Sequence, residues 1–112
     1  MYSSELIKGT LKTIILKLLK EQGRMYGYEI TSKVKELTEG KIQITEGALY
    51  PTLHALEKKG VLETEKVFIG KRVRKYYTLT KSGRLVVDER ITEFSEFMST
   101  MQILLDIKLE TK

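Results

Sequence analysis

The sequence predicts a mainly α-helical domain with a two-stranded β-hairpin, and three observations carry that reading. Apolar residues recur at helical spacing in several stretches, two strand-like runs flank a Gly-Lys pair, and the last quarter repeats apolar residues at alternating intervals of four and three. The 112 residues, 41% hydrophobic and 31% charged, suit one domain with a real core and little room for a large internal active site.

Each element has its own warrant. From about Glu5 to Glu21, Ile7, Leu11, Ile14 and Leu18 form an apolar stripe that Ile15 and Leu19 widen, and Gly23 ends the helix. After the short link Gln22–Met25, a second helix is expected from about Tyr26 to Leu37, with Tyr26, Ile30, Val34 and Leu37 on its buried side and Gly40 as the break. Thr45 is the N-cap candidate for a third helix that runs to Lys59 and stops at Gly60. Leu49, Leu53 and Leu56 make its inner face, while Gly47, Pro51, His54 and Lys58 lie opposite. Pro51 cannot donate to the Gly47 carbonyl and should bow the helix, and Gly47 offers no side chain to clash with it.

Val61–Ile69 and Arg72–Leu79 read as strands around Gly70-Lys71. From Thr80, which can cap it, one long helix is expected, with Gly83 tolerated in its first turn. At about 28 residues it would reach roughly 42 Å, more than a domain of this size needs. Val87, Ile91, Phe94, Met98, Met101 and Leu105 form its seam, and Phe97 and Leu104 an adjacent stripe. Such a seam is an aggregation hazard unless a second copy covers it, so a two-fold dimer is expected. The chain divides accordingly into a DNA-binding part, 1–79, and a dimerisation helix, 80–112.

Charge narrows the function. Twenty Lys plus Arg against fifteen Asp plus Glu give a net charge of +5, which favours a polyanionic partner. Residues 1–87 carry 17 basic and 9 acidic side chains, whereas the tail carries three basic and six acidic ones, including Glu110 and Lys112. The densest run, Lys66 to Lys75, holds five cations and no acid in ten residues. There is no cysteine, which excludes a disulfide scaffold, a thiolate zinc site and a cysteine nucleophile. That absence fits a cytoplasmic protein, as does the lack of a signal-peptide pattern or of an apolar run near the roughly 20 residues that span a bilayer.

Three helices followed by a hairpin is the winged version of a helix-turn-helix domain, in which the helix after the turn enters the major groove. Gly47 and Ala48 allow close approach at the start of that helix, and its N–H groups near Thr45 suit a phosphate. Lys58, Lys71, Arg72, Arg74 and Lys75 are the candidate phosphate ligands. Tyr50 flanks the outward face and is read as a DNA contact. Tyr28 stands between DNA contact and scaffold, while Tyr26, Tyr76 and Tyr77 read as scaffold. His54, the only histidine, is a surface position with base or phosphate contact as the alternative; alone it builds neither a metal site nor a triad. Neither cofactor nor metal is expected.

Two other classes compete. For an enzyme, Glu46 with Glu57 or Glu63 with Glu65 could pair as carboxylates, but no spacing forces a shared pocket and no phosphate-binding loop follows a strand. A winged helix that binds protein instead of DNA is the stronger competitor. The basic hairpin separates them, because protein binding has no need of five cations in ten residues.

The motifs Tyr26–Ile30, Thr45–Leu62 and Gly70–Thr80 with Gly83 together resemble the PadR family of bacterial winged-helix transcriptional regulators, mostly repressors, over about residues 9–83. The single C-terminal helix is similar to the short subclass. The resemblance implies a homodimer whose third helix and wing hold operator DNA, with Thr45–Ala48, Tyr50, Pro51, Arg72, Arg74 and Lys75 at the contact. It also implies that a ligand, where there is one, is often a planar aromatic compound near the dimer interface. Phe94 matches the position of a ligand-stacking aromatic residue in short members. Phe94 and Met98 read first as dimer packing, with ligand contact as the alternative. Two departures stand out: Val67-Phe68-Ile69 occupies a wing segment that is usually polar or glycine-rich, and the chain has no tryptophan.

Overall fold

Ser3 accepts the Leu6 N–H at 3.3 Å and so opens α1 (Ser4–Gln22), the rod on which the rest is built. The computed structural model describes residues 2–108, so Glu110 and Lys112 of the acidic tail lie outside the described residues. Leu11, Ile15, Leu16, Leu18 and Leu19 of α1 are buried. Ile7 and Ile14, which the stripe also includes, are half-buried, because the buried face is centred on Ile15 and Leu16.

The link after α1 is more than a link. Its last residue opens β1 (Met25–Tyr26), followed directly by α2 (Gly27–Leu37). The Glu29 carboxylate accepts the Tyr26 N–H at 3.1 Å and fixes this strand-to-helix entry. Ile30 and Val34 of α2 are buried, Tyr26 is half-buried and Leu37 is 61% exposed. Leu37 therefore does not belong to the core face, because the helix ends there and the chain turns through Thr38 and Gly40. The turn leads through buried Ile44 into α3 (Glu46–Lys58).

α3 ends in a Schellman turn: the Val61 N–H donates to the Leu56 carbonyl and the Gly60 N–H to the Glu57 carbonyl, with Gly60 at a φ of +76°. β2 (Leu62–Ile69) and β3 (Arg72–Leu79) then pair antiparallel, from Leu62 opposite Leu79 to Ile69 opposite Arg72 at the tip. β1 adds to the far side of β3, with Met25 opposite Tyr77 and Tyr26 opposite Tyr76. The sheet thus has three strands in the order β1-β3-β2, one more than the hairpin predicted from the sequence.

α4 (Lys81–Leu104) is capped by Thr80, whose side chain accepts the Gly83 N–H at 3.0 Å. Its 24 residues, roughly 36 Å at 1.5 Å per residue, make it shorter than expected. The helix stops where Asp106 adopts a φ of +53° and the Ile107 N–H reaches back to the Gln102 carbonyl, a reversal without the glycine that would announce it. α4 packs along α1, and Arg90 with Thr13 and Lys20 with Asp88 join their surfaces.

Val87 is 0% exposed within the single chain and Ile91 packs on the same core. Val87 therefore does not belong to the expected dimer seam, because α1 already covers the first part of the stripe, while Ile91 is only partly covered. Gly83 is corrected too. A Cβ on it would lie 2.2 Å from the Val61 carbonyl oxygen, so this glycine is required and not merely tolerated. Around it the Thr80 hydroxyl donates to Gly60 and its N–H to Val61, which locks the start of α4 onto the turn between α3 and β2.

Candidate nucleic-acid interface

α3 presents the first half of the surface. Thr45 stands outside the helix and its hydroxyl accepts the Ala48 N–H at 3.2 Å. Gly47, Pro51, His54 and Lys58 are all exposed, while Leu49, Leu53 and Leu56 are buried. Pro51 stands inside the helix, and the carbonyl it leaves without a donor belongs to exposed Gly47. Ala48 packs partly against the core, so less of it is open than expected. Glu46 puts an exposed carboxylate in the first turn, which opposes a phosphate at the helix start and leaves that role to the cations.

Tyr50 joins this face to α2. Its ring lies on Gly27, where a Cβ would come within 2.4 Å of the Tyr50 hydroxyl oxygen, so the glycine makes room for the ring. Tyr50 remains 38% exposed, packed on one side and open on the other.

The wing supplies the second half. Lys71 and Arg72 at its tip are exposed, as are Lys58 and Lys66, and none of the four has an ion-pair partner among the described residues. Lys66 lies directly opposite Lys75, an arrangement that opposes folding unless an anion answers it. Glu57 is part of that answer. Its carboxylate accepts from Lys75 at 3.3 Å and from the Thr64 hydroxyl at 3.1 Å. Lys75, expected on a phosphate, is thus already committed to an internal carboxylate.

Arg74 is committed as well. Its guanidinium stacks 4.1 Å from the centre of the Tyr26 ring, and the neighbouring Tyr76 hydroxyl raises its pKa further, so it stays charged. Arg24 stacks 4.2 Å over Tyr76 and pairs with Glu65 at 2.8 Å. Tyr26 and Tyr76 meet edge to face at 5.4 Å, so the strands carry a ladder of Arg24, Tyr76, Tyr26 and Arg74. Arg24 was missed in the sequence. Its signal was the repeated Arg-x-Tyr spacing of Arg24 with Tyr26 and Arg74 with Tyr76; the second pair shares one face of β3, and Arg24 stands immediately before β1. Exposed Tyr28 stacks on Tyr26 at 6.4 Å, whereas Tyr77 is buried. An open cleft of about 520 Å³ separates wing from reader helix, with Tyr50, His54, Arg72, Arg74 and Lys75 on its walls.

The Glu57 contacts carry a pH signature. The Thr64 hydrogen bond first, then Lys75, hold its carboxyl below the usual carboxylate range against partial burial. A lowered folded pKa contributes stability that is present above about pH 4.5 and lost as the pH falls through the folded value. Acid titration of unfolding should therefore show a shallower loss below about pH 4.5 in Glu57→Gln than in the parent; parallel curves would reject the assignment.

The remaining residues lie on a separate surface, which shares no residue with that cleft. Phe94, Met98 and Met101 line an open apolar groove of about 690 Å³ with Leu6, Gly9 and Phe97. Leu105 is exposed at the helix cap. The share of α1 in this groove was not foreseen. No helix among the described residues is long and apolar enough to cross a membrane.

Three helices with a hairpin beyond the third, cations on that hairpin and an open third helix define a winged helix-turn-helix domain. The chain belongs to the PadR-like family of transcriptional regulators, whose family model matches residues 15–89. Its members are regulators and not enzymes, which removes the carboxylate-pair alternative. The chain is similar to a transcriptional regulator from Clostridium thermocellum (31% identity, 91% of this chain and 96% of the other, TM-score 0.82). It is similar to Bacillus subtilis PadR crystallised in complex with operator DNA (34% identity, 73% of this chain and 46% of the other, TM-score 0.67). It is also 36% identical over 109 residues to uncharacterized protein X of Lysinibacillus sphaericus, 95% of this chain and 97% of that one.

Proposed function

We propose that the chain is a homodimeric cytoplasmic repressor that holds a pseudo-palindromic operator through α3 and the wing. The observation that carries this reading is the set of cations without an ion-pair partner among the described residues, Lys58, Lys66, Lys71 and Arg72, around an open helix face that holds Thr45, Gly47, Pro51 and His54. Bacillus subtilis PadR, similar over 73% of this chain, was crystallised with operator DNA, which supports the same partner here. In this reading Tyr28 and Tyr50 flank the reader, Ala48 contributes its open edge, and Arg74 and Lys75 shape the cleft and add field.

Residues 1–79 carry the DNA contact and 80–112 the dimer contact, with about the first three turns of α4 shared with the core. The second copy covers Phe94, Met98, Met101 and Leu105, where exposed apolar side chains run along the outer half of α4. The same groove is the place for a planar aromatic effector between Phe94 and Met98.

The wing gives the sharpest test. Neutralising Lys71 and Arg72 together to glutamine should reduce the salt dependence of duplex binding by about two on the log–log slope, since each phosphate contact contributes roughly 0.9. An unchanged slope would remove both from the phosphate contacts.

A further inference from the structure

The wing ends in apolar side chains that the described residues leave mostly open. Phe68 is 74% exposed, and Val73, directly across from it, is 53% exposed. Cross-strand partners share one face of a hairpin, and two residues inward on that face stand Lys66 and Lys75. Lys75 reaches Glu57 of α3, so this is the face turned toward the reader helix. The Phe68–Val73 pair therefore projects about 7 Å beyond that contact, and Val73 lines the cleft between wing and reader helix. β1 pairs with β3 only at Tyr76 and Tyr77, so no third strand supports the tip.

Resting on the DNA-binding reading above, we propose that Phe68 is a minor-groove wedge, backed by Val73 and flanked by Lys66, Lys71 and Arg72. Charge selects the occupant. The tip is apolar but its surround is cationic without an acid from Lys66 to Lys75, which fits a groove with sugar walls between two phosphate rails. Size selects the residue. A minor groove about 6 Å wide does not admit two strands about 4.8 Å apart with their side chains, but it does admit one aromatic ring. A wedge of this kind pries at a base step and so reads deformability and groove floor, not major-groove pattern. The guanine 2-amino group obstructs such entry, whereas an inosine·cytosine pair leaves the floor as open as adenine·thymine.

The test uses the full chain and duplexes that it enriches from a random-sequence pool, with affinity read by fluorescence anisotropy. Phe68→Ala should weaken binding about tenfold with an unchanged salt slope, because an apolar contact releases no counterions. Phe68→Leu should recover most of the loss, and the melting temperature of both should match the parent because the side chain is exposed. In the flanking segments, inosine·cytosine pairs should bind as adenine·thymine does and guanine·cytosine pairs more weakly, a discrimination that Phe68→Ala abolishes. A Phe68→Ala protein that binds as the parent does, or keeps that discrimination, overturns the wedge alone. A parent protein that enriches no duplex overturns the DNA-binding reading and the wedge with it.

Discussion

Gly83→Ala is expected to lower the melting temperature by roughly 10 °C or more, the consequence of about 2–3 kcal/mol of lost stability in a chain of this size. The added methyl would stand 2.2 Å from the Val61 carbonyl oxygen, a backbone atom that no rotamer change can move aside. α4 would have to lift from the turn between α3 and β2, and with it go the Thr80 hydrogen bonds to Gly60 and Val61. Lifting α4 also loosens Val87 from the core against α1. Gly9→Ala is the matched control. A methyl on Gly9 meets nothing within 4 Å, and an α-helix interior gains roughly 0.5–1 kcal/mol from this exchange. Thermal unfolding of the two variants side by side checks the contrast. A Gly83→Ala midpoint within about 2 °C of the parent would show that the contact is soft.

Met98→Glu should separate the protomers. In the proposed dimer this side chain sits with Phe94, Phe97 and Met101 along the open groove, where a carboxylate would be desolvated; the groove's cation, Arg90, lies about two turns away and already bonds Thr13, while Glu5 and Glu93 add like charge. Leaving such a charge unpaired costs about 3 kcal/mol or more, which raises the dimer dissociation constant at least about a hundredfold. The monomer itself should fold as before, because Met98 is exposed in the single chain. Sedimentation velocity at micromolar protein should therefore move from dimer to monomer with unchanged circular dichroism. An unaltered sedimentation profile would exclude the outer half of α4 from the interface.

How much of this was legible follows from the range over which each pattern acts. The faces of the reader helix were legible because helical periodicity is local: Leu49, Leu53 and Leu56 turned in, and Gly47, Pro51, His54 and Lys58 turned out, with Ala48 alone less open than expected. The wing was legible for the same reason, down to the turn at Gly70-Lys71 between β2 and β3. β1 was not, since two residues are too few for a period-two pattern and its pairing partner lies fifty positions away. The continuous spacing from Val87 to Leu105 showed that a stripe exists but not what covers it, and α1 takes its first part. Charge alone also overstated the free cations. Arg74 and Lys75 look like Lys71 and Arg72 in the sequence, yet Tyr26 holds one and Glu57 the other. Gly83 and Gly27 carried no local sign of their close approaches, because the atoms they make room for come from distant turns and helices.

The most direct measurement of the central claim is repeated enrichment of duplexes from a random pool by the purified protein, followed by sequencing. A pseudo-palindrome is expected whose half-sites lie roughly one helical turn, about 10 base pairs, apart, recovered by the parent and enriched less strongly with Lys71 and Arg72 both changed to glutamine. A pool that stays random at low ionic strength, or a lone half-site recovered without its mate, would contradict it.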